Sequence, residues 1–310
     1  MNESLVQRLR DNVQRVFVGG RDSIDRVLCC LLARGHVVIE DVPGVGKTVL
    51  ANSVARSMGG VFNRVQFTPD LLPSDVLGVS VYDANAARFD FKPGPIFANV
   101  LLADEVNRTT PRTQAALLES MNERQVTIDG QTRPLPDPFM VIATQNPFDF
   151  EGTYPLPESQ LDRFLMHISI GYPSRESEAE VLKRRPSESE LPTLEAVTTP
   201  EEIIEAQRAV DDVTLDRSLI DYIIALAEAT RTHPEIRVGL SPRGTLALST
   251  AARATALLNG RDYTTPEDVI DNVHAVVAHR TMLRSAPDGG GTEAARDLLD
   301  ELLTTLPSPV

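Results

Sequence analysis

Six consecutive residues, Pro43-Gly44-Val45-Gly46-Lys47-Thr48, have the types and spacing needed to hold phosphate. They follow the apolar run HVVIE (His36–Glu40) and lead through Val49 into the helix-forming LANSVARSM. A glycine-rich turn between strand and helix lets backbone N–H groups wrap phosphate oxygens at the positive end of the helix. In that arrangement Lys47 neutralises the β- and γ-phosphates and the Thr48 hydroxyl binds Mg²⁺. The strict pattern has a further glycine at position 41, where this chain has Asp41, so the start of the loop departs from it.

Two further clusters sit at the ends of apolar runs. Leu101-Leu102-Ala103-Asp104-Glu105 delivers two carboxylates to the C-terminal edge of a strand, where open α/β sheets bind their ligands. There Asp104 takes part in the Mg²⁺ shell and Glu105 orients and activates a water. The alternative is a strand followed by two solvated acids. Val141-Ile142-Ala143-Thr144-Gln145-Asn146-Pro147 brings an amide, Asn146, to the end of another strand, where it can position water between a γ-phosphate and Glu105. Taken alone, Asn before Pro marks only a turn.

The elements that must position these groups follow from hydrophobic patterning. His36–Glu40, Val61–Phe67, Asn99–Ala103 and Phe139–Thr144 read as strands, mostly near-continuous apolar runs suited to burial on both faces of a parallel sheet. Helical runs fall between them; Thr113–Glu123 carries Ala116, Leu117 and Met121 on one side. Strands alternating with helices predict an open α/β sheet. Beyond about residue 175 strand-like runs disappear. Thr199-Pro200, Ser241-Pro242 and Thr265-Pro266 each place a capping hydroxyl before a proline suited to the first helical position. The helix opened at Ser241 is expected to end near Asn259-Gly260. Pro287–Gly291 reads as a break before a last helix around Glu293–Thr304. The expected organisation is an α/β nucleotide-binding domain over 1–175 and a small all-helical lid domain over 176–310.

Composition narrows the functional classes. Acids outnumber bases by 44 to 30, a net charge of −14 that disfavours a phosphate-tracking nucleic-acid partner. No apolar stretch reaches membrane-spanning length, and the N-terminal MNESLVQRLRDNVQRV reads as an amphipathic helix rather than a signal peptide. The expected location is therefore cytoplasmic. Cys29 and Cys30 are neighbours in an apolar run and read as small buried hydrophobes. The five histidines, 36, 167, 233, 274 and 279, lack metal-ligand spacing.

The order PGVGKT, LLADE, ATQNP, LDRF and SPR resembles an AAA+ ATPase. The phrases FTPDLLPSDVLG, FKPGPIFANVLLADEVNR, PRTQAALLESMNERQVTIDG and LPESQLDRF resemble the MoxR group within it, over about Val16 to His279. The resemblance implies an AAA+ P-loop fold with a mainly parallel sheet flanked by helices and a C-terminal helical lid, ATP and Mg²⁺ as ligands, and ATP hydrolysis. It implies a ring of identical subunits, a hexamer by family expectation. It also implies chaperone-like remodelling or maturation of a protein client, often one with a von Willebrand factor A domain and sometimes in metal-cofactor insertion.

Carried onto this chain, Arg163 in LDRF matches the arginine finger offered to a neighbour's site, where a cation stabilises charge on the transferring phosphoryl group. The alternative for Arg163 is a surface ion pair with Asp162 or Glu158. Arg243 in SPR matches the sensor 2 arginine. Standing in the first turn of a helix, against the dipole, it calls for an anionic partner. Val18 and Gly19 match the segment beside adenine. Gln66 is placed to couple Glu105 to partner binding, and Arg108 is a further candidate inter-subunit cation. The segments 67–91 and 124–138 match insertions of the group, the second fitting a β-hairpin. Two other readings stay open: a magnesium-chelatase-like motor subunit, and an ATP-sensing scaffold with negligible turnover.

Overall fold

The computed structural model of the chain describes residues 2–146, 154–285 and 292–307. Pro147 and the break at Pro287–Gly291 lie outside the described residues. Helices α1 (Asn2–Gln14) and α2 (Arg21–Leu32) lead to strand β1 (Val37–Glu40), then α3 (Lys47–Ser57), β2 (Phe62–Gln66) and a short α4 (Pro73–Leu77). Next come β3 (Gly78–Asp83), β4 (Arg88–Pro93), β5 (Val100–Asp104), α5 (Pro111–Glu123), β6 (Gln125–Ile128), β7 (Gln131–Pro134), β8 (Met140–Gln145), α6 (Glu158–Leu161) and β9 (Met166–Ile168). The remainder comprises α7 (Arg175–Arg184), α8 (Pro186–Ser189), α9 (Pro200–Asp212), α10 (Arg217–Thr232), β10 (Ile236–Val238), α11 (Pro242–Leu258), α12 (Pro266–Val277), β11 (Met282–Leu283) and α13 (Thr292–Thr305).

The four apolar runs become neighbours in one parallel sheet of order β2-β5-β8-β1-β9. Their registers align the polar strand ends: Glu40 pairs with Gln145, Gln66 with Asp104, and Ala103 with Ala143. The chemistry is thereby concentrated on one edge. The fifth strand, β9, was not among the expected ones. Three residues are too few to show a pattern, and it is a strand because Val37–Ile39 offers it a free edge.

Strand alternation splits the core in two. Val37, Ile39, Val100, Leu102, Met140 and Ile142 face a large apolar cluster shared with α1, α2, α3 and the helices from α9 onward. Val38, Leu101, Ala103, Val141 and Ala143 face a smaller one containing Val76, Leu117, Leu118, Met121 and Val126. Each fully buried Leu or Val contributes about 1.5–3 kcal/mol.

A hairpin occurs in both insertion segments, the first preceded by α4. In β3–β4 the Asp83 carboxylate accepts N–H bonds from Asn85 and Ala86 to close the turn. In β6–β7 the turn is Asp129-Gly130, both residues at positive φ (53° and 71°), the backbone that a two-residue hairpin demands.

The proline-led helices start where expected. Thr199 and Thr265 form capping boxes with Glu202 and Asp268, and Ser241 Oγ accepts from the Gly244 N–H at 3.0 Å. Helix α11 ends at Leu258, before Asn259-Gly260. The expectation of no strands beyond residue 175 is corrected by the antiparallel pair β10–β11, three and two residues long and far apart in the chain. Only the fold brings such short runs together.

Candidate functional site

At the end of β1 the chain turns through Asp41–Gly46 into α3. Gly44 and Gly46 adopt φ of 90° and 96°, a region closed to most residues with a Cβ. The loop leads straight into the first turn of α3, whose first N–H groups have no partner within the helix, and Gly46, Lys47 and Thr48 line the cavity. The cavity, roughly 340 Å³, is lined by Pro43, Gly44, Gly46, Lys47, Thr48 and Val49 on one side and by Arg64, Gln66, Asp104, Glu105, Thr144, Gln145 and Asn146 on the other. Lys47 Nζ donates to the Asp41 carbonyl at 2.5 Å. Burial lowers its pKa, while Asp41, Asp104, Glu105 and Glu40 pull the other way.

Asp41 has a definite task. Its Oδ2 accepts from the N–H groups of Ile170 and Gly171, both at 2.7 Å, and from Ser169 Oγ at 3.0 Å; its Oδ1 accepts from the Val42 N–H. The departure from the strict glycine pattern thus ties the start of the phosphate loop to the end of β9.

The acid pair is held from several sides. Thr144 Oγ1 donates to Asp104 Oδ1 at 2.6 Å and accepts from the Glu105 N–H at 2.8 Å. The Asp104 Oδ2 is paired with Arg64 at 2.6 Å. Glu105 sits at φ 57°, ψ 49°, a left-handed backbone that costs a non-glycine residue about 1–2 kcal/mol. Its Oε2 accepts from Gln66 Nε2 at 2.6 Å and lies 3.2 Å from Arg108 Nη1. Gln66 and Arg108 thus both lie against the Glu105 carboxylate.

Arg163 and Arg243 do not line this cavity. Arg163 donates to the Leu118 carbonyl at 2.8 Å, and Arg243 Nη2 donates to Asn122 Oδ1 at 2.9 Å. Both anchors belong to α5, one helical turn apart. The ion pair that sequence left open between Arg163 and Asp162 goes elsewhere, because the Asp162 carboxylate is paired with Arg280. Val18 and Gly19 are half-buried beside the loop; added Cβ atoms at Gly19 and at Gly46 would meet the same Phe17 ring, at 2.4 and 3.1 Å.

Sequence reasoning missed Thr144, Arg64 and the role of Asp41. Two of these had a signal. Arg64 lies two residues before Gln66 and so shares its face of β2, and Thr144 follows Ala143 on β8 in the row beside Asp104. The partners of Asp41 had none, since β9 was not foreseen.

The donor set fits a magnesium nucleotide. Among the described residues no three His, Cys, Asp or Glu side chains form a protein cage for a metal. Mg²⁺ characteristically takes one or two protein ligands and fills its shell with water and phosphate oxygens. Thr48 and Asp104 across the glycine cradle are a set of that kind.

A five-stranded parallel sheet with a phosphate loop after β1, an acid pair after β5 and a helical C-terminal lid defines a P-loop ATPase of the AAA+ class. The family model "ATPase family associated with various cellular activities (AAA)" matches residues 36–166, and the AAA lid domain model matches 228–302. The uncharacterized protein YeaC of Bacillus subtilis is 48% identical over 99% of this chain and 95% of its own length. The chaperone MoxR1 of Mycobacterium tuberculosis is 42% identical, covering 90% of this chain and 76% of the relative. A solved structure from Cytophaga hutchinsonii, described as a candidate ATPase, superposes with a TM-score of 0.91 at 39% identity, covering 100% of this chain and 96% of that one. The chain belongs to the MoxR family of AAA+ ATPases. None of the described helices is long and apolar enough to cross a membrane.

Proposed function

We propose that this chain hydrolyses ATP, with Mg²⁺, at sites completed by a neighbouring copy in a ring, and that turnover drives remodelling or maturation of a protein client in the cytoplasm. In chain order the reading assigns residues 1–175 to nucleotide binding and 176–310 to the lid. The observation that carries it is the division of charge: Lys47, Thr48, Asp104 and Glu105 share one cavity, whereas Arg163 and Arg243 are held on α5 outside it.

In this mechanism the N–H groups of Gly44–Thr48 and the Lys47 ammonium bind the β- and γ-phosphates. Bound Mg²⁺ supplies electrostatic neutralisation of the phosphate oxygens from the Thr48 and Asp104 side. Asn146 and Glu105 orient water in line with the γ-phosphorus, and Glu105 accepts its proton as the new P–O bond forms and the bond to the β-phosphate oxygen breaks. Arg163 and Arg243, both from the neighbouring copy, stabilise charge on the transferring group. Val18 and Gly19, beside the Phe17 ring, border the base.

A protein client is supported by the β3–β4 hairpin, which leaves Val79, Val81, Tyr82 and Phe89 exposed, the last by 71%. ATP turnover is to be measured across protein concentration for the wild type, Glu105→Gln and Arg163→Ala. Specific activity should rise with concentration and vanish in both variants while ATP still binds. Binding without any Glu105-dependent turnover would favour the ATP-sensing scaffold instead.

A further inference from the structure

Arg280 is nearly buried, yet no motif singles it out and it touches neither the phosphate loop nor the acid pair. It ends the one-turn 3-10 helix Ala278–Arg280 that follows α12. Its guanidinium is saturated. Nε donates to Asp162 Oδ1 at 2.7 Å, Nη2 to the carbonyls of Asp162 and Phe164 at 3.1 and 2.5 Å, and Nη1 to that of Leu165 at 3.1 Å, as well as to the Val276 carbonyl. One side chain thus grips the chain on both sides of Arg163.

The other side of Arg280 faces the start of α11. A Cβ at Gly244, next to Arg243, would lie 3.0 Å from Arg280 Cδ, so the arginine stem runs flush against that turn. The two cations proposed to act on a neighbour are thus both adjacent to Arg280: Arg163 in the loop it grips, Arg243 in the turn it supports. Their own anchors, Leu118 and Asn122, are one turn apart on α5. Burying a cation near Arg243 is unfavourable unless it is paired, and Asp162 supplies the opposite charge. The adjoining His279 ring, whose pKa burial and Arg280 hold well below the ordinary range, is neutral, and its Nε2 lies 2.8 Å from Arg280 Nη1.

We infer that Arg280 is a positioning residue that locks the Asp162–Leu165 loop to the first turn of α11, so that Arg163 and Arg243 are presented to the neighbouring subunit as one rigid pair. The inference rests on the trans role proposed above for those two arginines. A lysine at position 280 keeps the charge but lacks the planar fork that reaches Asp162, Phe164 and Leu165 together.

Complementation between subunits tests this. Arg280→Lys has an intact pocket of its own, so its ATP affinity should stay within about threefold of wild type, while its homo-oligomer loses at least about tenfold in turnover. Mixed one to one with Glu105→Gln, which has a dead pocket but an intact cation pair, it should regain activity at about a quarter of the interfaces of a head-to-tail ring. A parallel mixture of Arg163→Ala with Glu105→Gln calibrates the assay. If that control recovers and the Arg280→Lys mixture does not, Arg280 serves its own subunit and the inference fails. If neither recovers, the trans reading falls and the inference with it. Should Arg280→Lys fail to fold or to bind ATP, Asp162→Asn is scored by the same criteria, and unaltered turnover in that variant overturns the inference.

Discussion

Thr144→Val removes one oxygen from the centre of the site and almost nothing else. Thr144 is buried between β5 and β8, and valine has nearly the same shape, so the lost hydroxyl is the main change. Two bonds disappear: the 2.6 Å donation to the Asp104 carboxylate and the 2.8 Å acceptance from the Glu105 N–H. A hydrogen bond to a charged group contributes about 1.5–3 kcal/mol and a neutral one about 0.5–1.5, so the change costs about 2–4 kcal/mol. Glu105 also stands in a left-handed conformation that its neighbours must enforce. If the whole loss appears in the transition state, turnover falls about 30- to 1,000-fold. ATP affinity should barely change, because Lys47 and Thr48 are untouched. Steady-state turnover with equilibrium ATP binding reads both quantities. Thr144→Ser, which restores the hydroxyl, should remain within about fivefold of wild type. Turnover by Thr144→Val within about twofold of wild type would refute the idea that this hydroxyl holds the acid pair in place.

Other consequences are open to simpler tests. Burial pushes the pKa of His36 from 6.5 down to about 4, and the nearby Arg124 cation lowers it further, against a hydrogen bond with the Met121 carbonyl. The unfolded chain takes up that proton first as pH falls, so the stability is complete above 6.5 and lost between 6.5 and 4. At pH 5 the loss from His36 alone is about 2 kcal/mol, and buried His279 adds in the same direction. Equal urea-unfolding free energies at pH 7 and pH 5 would contradict this. Asp41→Gly restores the strict loop pattern but abandons the N–H groups of Ile170 and Gly171, and should cost about 2–4 kcal/mol, seen as a lower melting temperature. A variant as stable as wild type would show that the tie to β9 is idle. Gly78→Ala places a Cβ 2.4 Å from the Lys92 carbonyl oxygen at φ 104°, and should disorder the β3–β4 hairpin, detectable as proteolytic cleavage there, while ATP binding persists. An uncleaved hairpin would rule this out.

Much of the chemistry was legible because it is local. The glycine loop, the acids after Leu101–Ala103 and the amide after Val141–Thr144 each combine an apolar strand with the polar residues at its end. Those strands pair in register, so residues far apart in sequence meet on one edge. The proline-led helices at Pro200, Pro242 and Pro266 were legible for the same reason, since their caps are contiguous with them. What escaped was set by partners distant in the chain. β9 exists through β1, β10 through β11, and Asp41 finds three of its four donors 128 to 130 residues away. Arg280 is the clearest instance: in sequence it is a basic residue just past a helix, and its meaning lies in a loop 115 to 118 residues earlier.

The larger apolar cluster runs without interruption from Leu5 in α1, through one face of the sheet, to Leu302 in α13. Protein interiors packed this way resist compression and shear. The chain therefore resembles a solid tile more than a clam with two shells. In the ring proposed above, the strain released by each ATP would be taken up at the seams, where the proposal sets one tile's arginines against the next tile's phosphates. On that proposal, motion reaches a client through the tilt of the seams and not through a change in any one tile's shape.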